Sequence, residues 1–345
     1  MSYRISLLDK SPVAKDATPG DALKHTLHLA QQAEAWGYHR FWIAEHHNTP
    51  RLASPSPELL IAWIVGQTRR IRVGSGGVML QHYSPYKVAE NFNLLANLAP
   101  GRVDLGVGKA PGGLPLSTQA LQRGGQDKAT FADKLTELDN WLSLPATAEE
   151  ETADDEESLR ATPIPVRSAD RFLLGASLES AALAASLDWN FVYAAHLNGD
   201  KNLMRQVLTA WSSKSQRDTV VAVQVIVAQD AEKAAELANL VEIWSVELEN
   251  NQRVSVGSET QAHAFARQAG SAIKRIERRE PSLLKGTAET VNAGLAALSH
   301  EFGIDEFIID TPIADPAARV ESLRLLAGVQ QAKPVSDFAA EHEAW

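Results

Sequence analysis

Cysteine is absent from the 345-residue sequence, which removes disulfides, iron–sulfur clusters, haem–thiolate ligation, cysteine-zinc sites and every thiol nucleophile. Any redox chemistry must then come from an organic cofactor or from a metal held by histidine and carboxylate. Aromatic residues are only 6 % of the chain. No apolar run approaches the roughly 20 residues that a bilayer span needs, so no membrane association is expected. The first nine residues carry neither a basic segment nor a small-residue cleavage site, and the cytoplasm is the expected compartment. Excess positive charge is lacking too: 33 Lys and Arg face 43 Asp and Glu, a formal net charge of −10. Nucleic acid and anionic lipid both select for clustered Lys and Arg, so neither is an expected partner, although a local basic pocket is still allowed.

What is present is a chain with 44 % hydrophobic residues, in which short β-rich runs alternate with helical stretches as in parallel βα units. Strands are expected over 4–9, 39–47, 71–80, 102–109, 171–177, 190–196, 219–229 and 305–311. Helices are expected over 20–36, 57–68, 85–98, 128–142, 179–187, 201–212, 231–250, 287–300 and 316–329. Eight such units without a compositional break predict an α/β fold, a closed (β/α)8 TIM barrel, in preference to an open doubly wound sheet. One domain over 1–345 is expected, with insertions at about 110–127, 145–170 and 251–286. Leu23, Leu27, Ala30 and Ala33 form an apolar stripe on the first helix, and Gly37 follows it where a left-handed residue is wanted. Pro57 and Pro85 suit first helical turns, and Pro100-Gly101 ends the third helix. The run 149–157 has seven carboxylates in nine residues and reads as a solvated linker. Segment 251–284, with an expected helix at 259–278 ending in Lys274, Arg275, Arg278 and Arg279, falls on the loop side of the barrel, where lids are built.

Catalytic groups in such a barrel come from the C-terminal ends of strands. Glu45-His46-His47-Asn48 ends the second strand and is the most reactive cluster; because side chains alternate, only one of the two histidines can easily face the axis. Gly76-Gly77 removes two side chains from the wall, either to let a flat ring lie against the backbone or simply for a bulge or close strand packing. Gly175-Ala176-Ser177-Leu178-Glu179-Ser180 turns into a helix, so its N–H groups and hydroxyls suit a phosphate, with an ordinary N-cap as the competing reading. Lys109 on the neighbouring strand would add positive charge. His82, Tyr83 and His196 complete the polar strand ends. His46, His82, His196 and Glu45 could converge on a metal, but no His-x-His or His-Glu-x-x-His spacing is present and no metal site is expected. Gly106-Val107-Gly108 lacks the spacing of a dinucleotide fingerprint.

Five segments together resemble the luciferase-like flavin monooxygenases, the family of the bacterial luciferase alpha subunit. They are Ser6-Leu7-Leu8-Asp9-Lys10-Ser11-Pro12, Tyr38 through Asn48, Gly74-Ser75-Gly76-Gly77-Val78-Met79-Leu80 with Ser84-Pro85, Pro100 through Gly112, and Leu174 through Ala181, followed by Gly303-Ile304-Asp305-Glu306. The resemblance spans nearly the whole chain. It implies a barrel that binds reduced FMN from a separate, transient flavin reductase, reacts it with O2 through a flavin C4a-peroxide, and oxygenates a small organic substrate. F420 is the alternative cofactor. An F420-dependent oxidoreductase, a non-catalytic flavin-binding relative and a histidine-liganded metallohydrolase are the competing readings. By position, Gly76-Gly77 matches the family's non-proline cis peptide against the flavin ring; Lys109, Gly175, Ala176, Ser177, Leu178 and Ser180 match its phosphate site; His46, with Glu45 beside it, matches its catalytic histidine. His82, Tyr83 and His196 are expected in the substrate pocket. A homodimer through the second and third helices is also implied, and the apolar run 59–65 is consistent with it. Lys109 stands where many members have Arg, and Asp188-Trp189 where they often have Gly and an aliphatic residue. Substrate identity is left to loops 110–126 and 251–284.

Overall fold

A computed structural model describes residues 3–123, 129–144, 159–197 and 199–331. The elements are β1 (Arg4–Asp9), α1 (Pro19–Ala35), β2 (Arg40–Ile43), α2 (Pro57–Val65), β3 (Arg72–Ser75), β4 (Val78–Met79), α3 (Pro85–Leu98), β5 (Val103–Gly108), α4 (Pro115–Leu121) and α5 (Phe131–Leu142). They continue as β6 (Asp170–Gly175), α6 (Leu178–Ser186), β7 (Asn190–Ala194), α7 (Lys201–Ser212), β8 (Val220–Val227), α8 (Ala231–Asn239), β9 (Ile243–Leu248), β10 (Arg253–Val256), α9 (Glu259–Ala269), β11 (Ile273–Arg279), β12 (Leu283–Gly286), α10 (Ala288–Phe302), β13 (Glu306–Asp310) and α11 (Pro316–Gln331). Strands β1, β2, β3, β5, β6, β7, β8 and β13 pair in parallel, and the pairing of β7 with β8 and of β13 with β1 closes the ring. The fold is the expected (β/α)8 barrel.

Alternation along the strands sorts the core into two parts. Odd-numbered residues such as Leu7, Phe41, Leu105, Phe191, Val221 and Phe307 face the helices and join one large apolar cluster. Even-numbered residues face the axis: Leu8, Trp42, Phe172, Val192, Ala222 and Ile308 fill the middle of the barrel as a separate cluster. Beneath them the axis is polar. Arg40 bridges Glu306 and Asp104 at 2.9 Å each, Trp42 Nε1 donates to Asp104 at 2.9 Å, and Ser6 donates to Glu306 at 2.6 Å.

Several expected elements are shorter than the pattern suggested. The 71–80 run breaks at the Gly76–Gly77 peptide, which is cis, and resumes as β4 before a 3-10 turn at Leu80–His82. On the first helix the buried residues are Ala22, Thr26, Leu29, Ala30 and Ala33, with Leu23 and Leu27 at the margin; Gly37 does adopt positive φ, +78°. Asp188, a non-glycine residue at φ +54°, is held there by two bonds from Arg217, at 2.9 and 2.7 Å.

The insertion between β8 and α10 differs most. A single helix over 231–250 was expected, but α8 stops at Asn239 and Ile243–Leu248 is a strand. Likewise the helix expected over 259–278 ends at Ala269, where Gly270 takes φ +62°, and Ile273–Arg279 is a strand. Strands β10, β9 and β11 form an antiparallel sheet, whose Val246 and Leu248 bury against Ala262 and Phe265 of α9. This unit touches the loops that follow β2 and β5: Arg51 bonds the Gly257 carbonyl at 3.4 Å, Gln268 accepts from Leu116 N at 3.2 Å, and Leu114 packs on its core. It therefore lies on the C-terminal side of the barrel. The acidic run 149–157 is outside the described residues. The described part of the insertion before β6 is tied to α3, where Asn93 Nδ2 donates to the buried Ala161 carbonyl at 2.6 Å.

Candidate active site

The even-numbered, axis-facing positions become polar again at the C-terminal ends of the strands. Lys10 follows β1, His46 follows β2, His196 sits in the 3-10 turn after β7, Gln224 is on β8, and Asp310 ends β13. Asp310, only 1 % exposed, accepts from Lys10 Nζ at 2.6 Å and from Gln224 Nε2 at 3.0 Å. Burial works against its charge, but Lys10, His196 and the Gln224 bond prevail and hold the carboxyl below its ordinary range. His46 is pushed down to about 4, first by burial and then by the Lys10 charge, with Asp310 opposing. His196 is lowered for the same first reason, despite Asp310 and a bond from its ring to the Ala222 carbonyl. Both rings are neutral at pH 7. Nδ1 of each is buried and has no hydrogen-bond partner among the described residues, and the same holds for Gln224 Oε1.

Glu45 points elsewhere. Its carboxylate, 1 % exposed, accepts from His47 Nε2 at 2.7 Å, from Tyr83 Oη at 2.7 Å and from Met79 N at 3.1 Å. The two histidines thus divide as alternation requires: His46 joins Lys10 and Asp310, while His47 joins Glu45 and Tyr83. Burial first, then Glu45, raises the Tyr83 phenol, which stays protonated as a donor. Burial and the same carboxylate raise Glu58. His82 has both nitrogens engaged, Nε2 with the Pro111 carbonyl at 2.9 Å and Nδ1 with Gln122 Nε2 at 3.2 Å, so it ties the turn after β4 to the β5 loop and α4.

The two glycine sites separate into packing and binding parts. A Cβ on Gly76 would lie 2.5 Å from Leu8 Cδ1, and one on Gly77 2.8 Å from the Gly106 carbonyl. The space released by both is filled by barrel atoms, so close packing alone requires glycine here. At α6, Ser177 is the N-cap, accepting from Ser180 N at 3.2 Å, and its hydroxyl lies 3.0 Å from that of Ser180. Gly175 must lack a side chain, because a Cβ would stand 2.6 Å from Ser180 Cβ. Ser177, Leu178 and Lys109 are exposed and Ala176 and Ser180 half-buried; the pairing of Gly108 with Leu174 puts Lys109 beside the start of this turn.

A cavity of about 540 Å³ lies at the opposite, N-terminal end, lined by Arg40, Asp170, Arg171, Asn190, Arg217 and Asp218. Its arginines are spent on ion pairs within the chain, Arg171 with Asp139 at 2.6 Å and Arg217 with Asp188 at 2.7 Å. In parallel barrels the chemistry sits at the other face, which is where the two imidazoles with an unpartnered Nδ1 are. No group of three metal-ligating side chains converges among the described residues.

Sequence reasoning did not single out Lys10, Gln224 and Asp310. The signal was available: each continues the even-numbered row that runs up its strand.

The model of the luciferase-like monooxygenase family matches residues 1–306. An N-acetyl-S-alkylcysteine monooxygenase of Bacillus subtilis (strain 168) is 40 % identical over 329 residues, 94 % of this chain and 97 % of that one. Among solved structures, apo-MsnO8 superposes with a TM-score of 0.75 at 28 % identity, covering 96 % of this chain and 98 % of that one. Two barrels at lower identity share the fold. The oxygenating constituent of 3,6-diketocamphane monooxygenase from Pseudomonas putida, in complex with FMN, matches at TM-score 0.68 and 18 % identity, covering 94 % of this chain and 97 % of that one. An F420-dependent secondary alcohol dehydrogenase matches at 0.61 and 16 %, covering 94 % and 98 %. With a barrel of this topology, a polar C-terminal mouth and a family match over most of its length, the chain belongs to the luciferase-like monooxygenases and is an enzyme of the flavin-dependent monooxygenase class.

Proposed function

We propose that the chain is the oxygenase component of a two-component system, taking reduced FMN from a separate reductase and using O2 to oxygenate a small thioether of the N-acyl S-alkyl amino acid type. The observation that carries this reading is the neutral His46, half-buried at the mouth with a buried Nδ1 that has no partner among the described residues, one strand away from the Gly76–Gly77 turn. The substrate class follows from the 40 % identical relative.

The residues present fit the cofactor. Ser177, Ser180 and the first N–H groups of α6 would hold its phosphate, with Lys109 supplying the countercharge. The backbone of Gly76 and Gly77 would face the ring. Bound reduced FMN supplies two electrons, so that one atom of O2 enters the substrate and the other leaves as water. The chain's part is to exclude water and to move protons. His46 Nδ1, neutral at working pH, accepts a proton at the mouth. Burial and the Lys10 charge keep it neutral against the opposing pull of Asp310. The sheet of β9–β11 with α9 shields the mouth from the C-terminal side. Glu45 acts at a distance, fixing His47 and Tyr83 behind the wall. Exposed Leu59 and Trp63 on α2 and Leu94 and Leu98 on α3 form one apolar face, which we assign to a homodimer.

Anaerobic titration with reduced FMN and with reduced F420, followed by oxygen and N-acetyl-S-benzylcysteine, tests the proposal. Tight binding of FMN and an oxygen-dependent gain of one oxygen atom by the thioether, seen by mass spectrometry, are expected. Binding of F420 alone, or no oxygenated product, overturns it.

A further inference from the structure

Hydrogen-bonding capacity at the mouth is unevenly spent. Gln224 is 9 % exposed and uses its amide N–H on Asp310, which leaves Oε1 buried as an acceptor with no donor among the described residues. The His196 ring donates to the Ala222 carbonyl, so Nδ1, which has no partner, is also an acceptor. A buried acceptor left unmatched is costly, and these two fall at corresponding positions, Gln224 on β8 and His196 in the turn that follows its parallel neighbour β7. Lys10 completes the set from the other side. One of its N–H donors is spent on Asp310 at 2.6 Å, and its side chain is 28 % exposed, which leaves the ammonium two further donors.

The set is therefore two acceptors and one donor around an ion pair that is already neutral. An anionic head would meet Asp310 as well as Lys10, and a cation would meet Lys10. A neutral group with an N–H beside a carbonyl matches each position: the N–H donates to Gln224 Oε1 or His196 Nδ1, and the carbonyl accepts from Lys10 Nζ. We infer that Lys10, His196 and Gln224 form a specificity site for a secondary carboxamide on the substrate. This deepens the thioether oxygenase reading above and rests on it. Within that reading His46 serves the reacting end of the substrate and this trio holds the amide end. The imide edge of a flavin has the same chemistry, so the test has to separate the two sources.

The probes are N-acetyl-S-benzylcysteine and its N-methyl counterpart, which keeps the carbonyl and loses only the N–H. Calorimetric Kd values are measured on the protein alone and saturated with FMN, and kcat/KM with reductase-supplied reduced FMN. A site built around a hydrogen bond rejects a ligand that lacks it, so the N-methyl probe is expected to bind about tenfold or more weakly and to lose kcat/KM in proportion. Gln224→Met and His196→Phe should each shrink that preference to about twofold, whereas Lys10→Met should weaken both probes alike. Equal binding of the two probes by the unaltered protein overturns the inference, whether or not any variant folds. Variants that weaken FMN and leave the probe preference intact overturn it too, by giving the trio to the flavin. The oxygenase reading fails separately, when the amide preference is present in binding but neither probe is oxygenated.

Discussion

His46 and Glu45 are adjacent in sequence and do opposite work. His46 is a neutral base because burial, and then Lys10, hold its pKa at about 4. His46→Ala is expected to lower kcat by about 10²–10⁴, the usual contribution of a positioned acid–base group, while the fold is retained. Steady-state oxygenation assays check this, and an unaltered rate removes His46 from the chemistry. Glu45 instead anchors three donors of its own chain. Glu45→Gln still accepts one bond but mismatches another, so a stability loss of about 1–3 kcal/mol in urea unfolding is expected, with a smaller fall in kcat than for His46→Ala. That only one of the two histidines would face the axis was legible in the strand's alternation, and the same period along β1 joins Ser6 and Leu8 to Lys10, although Lys10 was not singled out from it. What could not be read was that Lys10 meets Asp310, 300 residues away, since a contact between the first and last barrel strands exists only after the ring closes.

The start of α6 shows how one turn combines a folding role with a binding role. Ser177 caps the helix by accepting from Ser180 N. Ser177→Ala should therefore cost about 1 kcal/mol of stability even without flavin. Lys109 makes no hydrogen bond or ion pair among the described residues. Lys109→Ala should weaken reduced FMN by about tenfold, the loss of one charge-assisted bond, and Lys109→Arg should tighten it by offering a bidentate fork to the phosphate. Anaerobic fluorescence titration of the variants with reduced FMN decides the point: an unchanged Kd in Lys109→Ala takes the phosphate away from this turn. The barrel strands were readable as elements because each is a short apolar run between helix caps. The β9–β11 sheet was not, because its strands are partly exposed and carry Glu247, Lys274 and Arg278 among their apolar residues. Such mixed runs satisfy a helical stripe nearly as well as a two-residue period. Only Gly270, left-handed at the end of α9, marked the break.

Closure of the barrel places two large-scale properties on its surface and in its interior. Outside, Leu59 and Trp63 of α2 and Leu94 and Leu98 of α3 are exposed, and under the homodimer proposed above Trp63→Glu is expected to convert dimer to monomer in sedimentation velocity. Inside, the barrel holds several ionisable groups whose charge is set by the ring as a whole. His46 and His39 both fall to about 4, each by burial first and then by a neighbouring cation, Lys10 or Arg40. In the unfolded chain both return towards the ordinary value of 6.5. Between these limits the unfolded state binds more protons than the folded one, so stability rises with pH. Their contribution is complete above about 6.5 and is lost as pH falls through the window to about 4. His196, lowered by burial, adds in the same direction. Asp104 and Asp310, held below the ordinary carboxylate range by their arginine and lysine partners despite burial, extend the loss to lower pH. Calorimetric Tm values should therefore be level above pH 7 and decline steadily from pH 6.5 towards 4.5, with a shallower decline in His46→Asn. A Tm that holds or rises on acidification would mean that these imidazoles, His39 below the barrel and His46 at its mouth, are hydrated in solution.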